Sequence, residues 1–146
     1  MWLLRLFLQL RPELALYPEQ GLRIGAYGKG HACADGALAP LDHFVAQDGD
    51  WADPDGVLMV VEVTSRDRGT DRRDRIDKVR GHAEAGIPVY LLVDRDSDTL
   101  TVFSDPRDGV YRRRPTYPYG AAVRLPEPAG VTLDTDKLKD YADRSP

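Results

Sequence analysis

The chain has 146 residues and a mass of 16.3 kDa, enough for one domain with a single hydrophobic core. Apolar residues are 42% and charged residues 30%, with a mean hydropathy of −0.45, which excludes a disordered chain and a polytopic membrane protein. A net charge of −4 excludes a protein held to nucleic acid by global charge, while local basic patches remain open.

No apolar run reaches the roughly 20 residues of a membrane-spanning helix, so no membrane partner is expected. The opening MWLLRLFLQL is broken by Arg5 and lacks a basic leader and a small-residue cleavage site, so it does not read as a secretory signal. Cys33 is the single cysteine and cannot close an internal disulfide. The expected compartment is the cytoplasm.

In chain order, residues 2–10 read as a short helix with Leu3, Leu4, Phe7, Leu8 and Leu10 on its apolar side, ended by Arg11-Pro12. Strands are expected at 21–26 and 34–39, the first followed by the loop YGKGHA, and 40–56 reads as loop. VLMVVEV at 57–63 is a nearly continuous β-branched run, the pattern of a central strand covered on both faces. The polar stretch from Asp67 to Gly86 reads as a helix with Ile76, Val79 and Ala83 as its core stripe and Pro88 as a stop signal beyond it. IPVYLLVD at 87–94 is a second buried strand, the turn RDSD follows, and TLTVFS at 99–104 alternates as a hairpin partner. GVYRRR at 109–114 pairs next, and 135–143 is a weak terminal helix. Strand, helix, strand over 57–94 is a βαβ unit, and the fold class is a mixed α/β sheet.

Glu62 is the anomaly. A carboxylate inside an apolar strand costs several kcal/mol unless it is paired, protonated or bound to a metal. It either sits at an exposed strand end against an arginine, or serves as a ligand at the carboxyl end of a central strand, where α/β sheets place their sites. Asp35 is a candidate partner, since two carboxylates on adjacent strands supply the hard oxygens that Mg²⁺ prefers; taken alone, Asp35-Gly36 reads equally as a turn. Lys78 falls off the helix's core stripe, on a flank with Asp71, Arg75 and His82. That flank is either a solvated charge face or the border of the carboxylate end of the strand, where a lysine could orient a water or stabilise charge on phosphorus.

Residues 57–94 resemble the Uma2 family of restriction-endonuclease-like proteins, a branch of the PD-(D/E)XK nuclease superfamily. The resemblance rests on VVEVTS, DRIDK, AGIPVYLLVD and the TLTVF strand, and extends over about residues 20–136. It implies a restriction-endonuclease-like mixed β-sheet flanked by helices, a divalent Mg²⁺ or Mn²⁺, and hydrolysis of DNA phosphodiester bonds. Carried over by position, Asp35, Glu62 and Lys78 are the implied catalytic residues. Asp35, Glu62 and the Val63 carbonyl are the implied metal ligands. The strict E-X-K lysine is replaced by Thr64, so the lysine role passes to the helix. Ala34 stands for the proline of the family's "PD", His82 for its usual tyrosine and Leu91 for its usual tryptophan. Relative to the family pattern, the chain starts inside the first helix, so a single domain lacking the usual N-terminal hairpin segment is expected.

Other motifs fall away on inspection. GLRIGAYGKG lacks the first glycine and the Ser/Thr of a P-loop, and the acidic loop from Asp48 to Met59 has Asp53 and Met59 where an EF-hand needs Gly and Glu. His82-Ala83-Glu84 is followed by no P-C-x-x-C, no G-x-S-x-G surrounds a serine, and three dispersed histidines make no zinc cage. Residues 66–80 hold seven basic residues against four aspartates, and Tyr111-Arg112-Arg113-Arg114 adds a basic-aromatic cluster near Tyr117 and Tyr119. Either is a DNA contact or a solvated charged face. The expected contacts to DNA are Arg66, Arg72, Arg75 and His82, with homodimerisation open. The alternative function is a catalytically inactive nuclease-like domain that binds nucleic acid or protein.

Overall fold

The computed structural model describes residues 7, 9–23, 31–44, 54–63, 72–136 and 138. Its elements are β1 (Leu14–Arg23), β2 (His31–Pro40), β3 (Met59–Val63), α1 (Arg72–Glu84), β4 (Val89–Asp94), β5 (Thr99–Arg107), β6 (Val110–Arg113), β7 (Thr116–Pro118), β8 (Ala122–Leu125) and β9 (Val131–Asp134). The first seven strands form one mixed sheet in the order β1-β2-β3-β4-β5-β6, with β7 also pairing β5. All neighbours are antiparallel except β3 and β4, the two strands joined through α1. The parallel pair follows from the helix between them, since a crossover of that length returns the chain in the same direction.

Period-two alternation sorts the central strands between two apolar clusters. Met59 and Val61 of β3, Val89, Leu91 and Val93 of β4, and Leu100 and Val102 of β5 point to one face. There they pack with Phe7, Leu138 and the inner residues of the β8–β9 hairpin, Val123, Leu125, Val131 and Leu133. Val60, Tyr90 and Phe103 point to the other face, against Val79 and Ala83 of α1 and against Tyr111. Among the described residues, one face of the sheet is thus covered by a helix and the other chiefly by a second small sheet.

The terminal turns of α1 are explained residue by residue. Gly86 has φ +77°, the Ile87 N–H reaches the His82 carbonyl (3.2 Å) and the Gly86 N–H reaches that of Ala83 (3.0 Å). This is a Schellman closure, which needs a residue tolerant of the left-handed region at Gly86. Asp108 (φ 52°) and Gly109 (φ 75°) form the two-residue turn between Arg107 and Val110, both in the left-handed region as a type I′ hairpin requires. Tyr111, 3% exposed, donates its hydroxyl to the Ile87 carbonyl (2.8 Å) and so ties β6 to the turn after α1.

The expected strands at 57–63, 87–94 and 109–114 are present slightly shortened, others are longer, residues 24–26 lie outside the described residues, and there are additions. The strand expected at 21–26 begins at Leu14, that at 34–39 runs over His31–Pro40, and that at 99–104 continues to Arg107. The helix expected from Asp67 is described from Arg72, and residues 64–71 lie outside the described residues. β7, β8 and β9 were not expected; each has only three or four residues, too few for periodicity to register. Of the two terminal helices expected at 2–10 and 135–143, Phe7, Gln9 and Leu10 and then Thr135, Asp136 and Leu138 fall among the described residues; all but Thr135 are in helical conformation, so the second begins at Asp136. Leu10, expected on the apolar side, is 49% exposed, because the chain turns away at Arg11 after Phe7 is buried.

Tyr111→Phe should leave the Ile87 carbonyl without its donor and cost about 1–2 kcal/mol in urea denaturation, with the slope unchanged.

Candidate metal centre

β2 and β3 pair antiparallel with Gly36 opposite Val61, so the next step of the same register sets Asp35 opposite Glu62. Residues opposite one another in a ladder share a face, here the face crossed by α1. The Asp35 Oδ2 accepts the Val63 N–H at 2.7 Å, which fixes that carboxylate at the end of β3. From α1, the Lys78 ammonium lies 3.8 Å from the Glu62 Oε2. The structure therefore brings Asp35, Glu62 and Lys78 together at one strand end, with Val63 beside them through its amide.

The electrostatics are unequal. Asp35 is exposed and Lys78 retains 31% of its side-chain surface, whereas Glu62 is 7% exposed. Burial pushes the Glu62 carboxyl up to about 7; Lys78 opposes the rise, and the adjacent Asp35 adds to it as a like charge and as a hydrogen-bonding neighbour. Among the described residues the Glu62 Oε1 has no hydrogen-bond partner. With both carboxyls ionised neither can donate to the other, so this oxygen is open to a proton, a water or a cation.

The donor chemistry fits a hard divalent ion. Two carboxylates side by side offer oxygens of the kind Mg²⁺ and Mn²⁺ accept, and an exposed Asp35 leaves solvent to complete the coordination. Among the described residues no cluster of three or more His, Cys, Asp or Glu side chains exists, so an all-protein cage for zinc is not what this strand end provides.

His82 corrects an expectation. It was expected on the solvent flank beside Lys78 as a DNA contact, but it is fully buried, its ring at 5.1 Å and edge-on to Tyr90. Its Nδ1 hydrogen-bonds the Lys78 carbonyl at 2.6 Å, and among the described residues its Nε2 has no partner. Four residues on from Lys78, it sits one helical turn further along the same side of α1, where that side meets Tyr90 of β4. Burial lowers its pKa to about 4, so the ring is neutral and supports Lys78 from beneath. Of the other expected DNA contacts, Arg66 lies outside the described residues, and Arg72 and Arg75 fall in the first turns of α1, with their side chains outside the description.

The family model described as Uma2, putative restriction endonuclease, matches residues 1–136. The chain belongs to the Uma2 family. Among solved structures it is similar to the crystal structure of a putative nuclease belonging to DUF820 from Anabaena variabilis ATCC 29413, with a TM-score of 0.69 and 12% identity, covering 97% of this chain and 76% of that one. That likeness shows a shared fold. No curated protein matches the chain.

A carboxyl whose folded pKa is raised favours the folded state below its unfolded value, near 4.5, and loses that contribution as pH rises through about 7. In chelator, Glu62→Gln should therefore gain stability over the parent as pH rises from 5 to 8, by an amount on the order of 3 kcal/mol. Parallel urea titrations at the two pH values measure the difference; equal gaps would remove the buried-charge account of this strand end.

Proposed function

We propose that this chain is a divalent-metal-dependent endonuclease acting on DNA, with Asp35 and Glu62 as metal ligands and Lys78 as the cationic catalytic residue. The observation that carries the reading is the Glu62 carboxylate, buried with one oxygen unpartnered, opposite Asp35 and 3.8 Å from the Lys78 ammonium. A buried acid with one oxygen left unsatisfied costs stability even beside a lysine, and such a cost is characteristic of functional positions.

The residues divide the work. Asp35, held by the Val63 N–H, and Glu62, held by its burial, present their oxygens on one side of the strand end. The Val63 carbonyl is the proposed third protein ligand. The bound ion supplies an activated water and offsets charge on the phosphate. Lys78 reaches the same point from the helix, where its ammonium orients the attacking water or stabilises the negative charge growing on the phosphoryl oxygens. His82 acts behind it as a positioning residue through the Lys78 backbone. Because the net charge is −4, DNA must be held by local arginines, so binding weakens as salt neutralises the phosphates.

Adding Mg²⁺ or Mn²⁺ at a hundredfold excess over its Kd should raise the Tm of the wild-type chain by roughly 5–10 °C. Glu62→Gln should abolish that shift and leave a folded protein. Lys78→Ala should keep the shift while lowering DNA cleavage by about 10²–10³. A wild-type chain with no metal-induced shift would replace this reading with an inactive binding module.

DNA affinity should fall steeply between low and physiological salt, as read by fluorescence anisotropy. An affinity indifferent to salt would show that arginines do not meet phosphate.

A further inference from the structure

A cavity of about 360 Å³ opens beside the carboxylate centre, on the same face of the sheet. Glu62, Leu92, Thr101 and Thr116 stand opposite one another on β3, β4, β5 and β7, and Asp35 extends the line on β2. Leu92, next to Glu62 in that row, lines the cavity, and so do Val79 and Arg80, the two residues after Lys78. The cavity thus begins one to two strand spacings, about 5–10 Å, from the centre.

Its walls have a definite chemistry. Phe103, half-buried, and Tyr111, buried, meet at 5.9 Å and tilt to one another as an aromatic floor. Val110, 50% exposed, forms a lip. Arg80 and Arg114 stand at the opening, both exposed. Among the described residues neither arginine has a carboxylate within ion-pair distance: Asp108 is taken by Arg112 at 3.8 Å, and Glu84 packs over Gly109. An apolar aromatic slot with two exposed guanidinium groups at its mouth suits a planar ring carried on an anionic chain.

We propose that this cavity receives an unstacked base of the nucleic-acid strand whose phosphate lies at the Asp35–Glu62 centre, with Phe103 as the stacking surface and Arg80 and Arg114 on the adjoining phosphates. The proposal rests on the endonuclease reading and narrows its substrate to strands whose bases are free to leave the stack: single strands, junctions or frayed ends. A base and its own phosphate are separated by about the distance between cavity and centre. The volume lies within the range of small-molecule sites. The Tyr111-Arg112-Arg113-Arg114 cluster thereby divides its roles, with Tyr111 in the floor, Arg114 at the mouth and Arg112 in an ion pair.

The test compares two single-stranded oligonucleotides of equal length and charge, one with bases and one abasic, binding to the full chain in Mg²⁺ by fluorescence anisotropy. The strand with bases should bind at least fivefold more tightly, roughly what one stacked base contributes. Phe103→Leu keeps the apolar bulk without the ring and should bring the two affinities together while leaving abasic binding unchanged. Val110→Trp, at an exposed lip, should do the same by filling the mouth. Arg114→Gln should weaken both strands alike and reduce the salt slope by about one. Equal affinities for the two strands, or a base preference that survives both Phe103→Leu and Val110→Trp, would overturn the proposal. If the strands are cut in Mg²⁺ without base preference, the cavity assignment falls and the endonuclease reading stands. If base preference is found without cleavage in any divalent metal, the cleavage reading falls and the base site stands. If neither strand binds, both fall.

Discussion

A carboxyl buried in a β-sheet is the constraint around which this molecule is arranged. Glu62 interrupts an otherwise apolar strand, and every neighbour answers to it: Asp35 opposite, Lys78 above, Leu92 on the next strand. Sheet register enforces the arrangement. A slip of one residue between β2 and β3 would send the two carboxyls to opposite faces and place Val61 where Glu62 stands, so the apolar pattern that specifies the core also specifies the site. Hydrophobic burial stabilises the strand, and the strand holds the acid where solvation alone would never keep it.

The helix completes the centre and carries an opposing titration. His82 is buried a turn from Lys78 and kept neutral, while Glu62 is buried and drawn toward its protonated form. Between about pH 4.5 and 6.5 the folded state resists a proton at His82 and retains one at Glu62, so the two contributions to stability run in opposite directions. Removal of either group alone exposes the slope of the other. The imidazole, with a carbonyl of Lys78 on one nitrogen and nothing on the second, belongs to the support of the lysine rather than to a surface.

Much of the centre was legible in the residues. VLMVVEV could only be a buried strand, its one carboxylate was conspicuous for that reason, and a lysine off the helix's core stripe was available to face it. Two things were hidden. His82 looked polar and therefore outward, but it lies a turn beyond Lys78 on the side of α1 that meets Tyr90, and only that meeting of helix and sheet buries it. The cover on the far face was also invisible, because β8 and β9 are four residues each and gain their order from pairing with each other and packing under Phe7 and Leu138. The aromatic cavity joins β5, β6 and α1, segments whose meeting is a property of topology and not of local pattern.

The tight turn at Asp108-Gly109 has a consequence for how such a protein changes over generations. Glu84 packs so closely over Gly109 that a side chain there would collide with it, and both turn residues already occupy the left-handed region. One residue inserted between β5 and β6 with the pairing kept would turn Tyr111 to the other face of the sheet and put Val110 in its place opposite Pro106, because alternate residues exchange faces. The shape of this recess is therefore open to revision by swapping side chains such as Val110 or Arg114, and closed to revision by lengthening the chain.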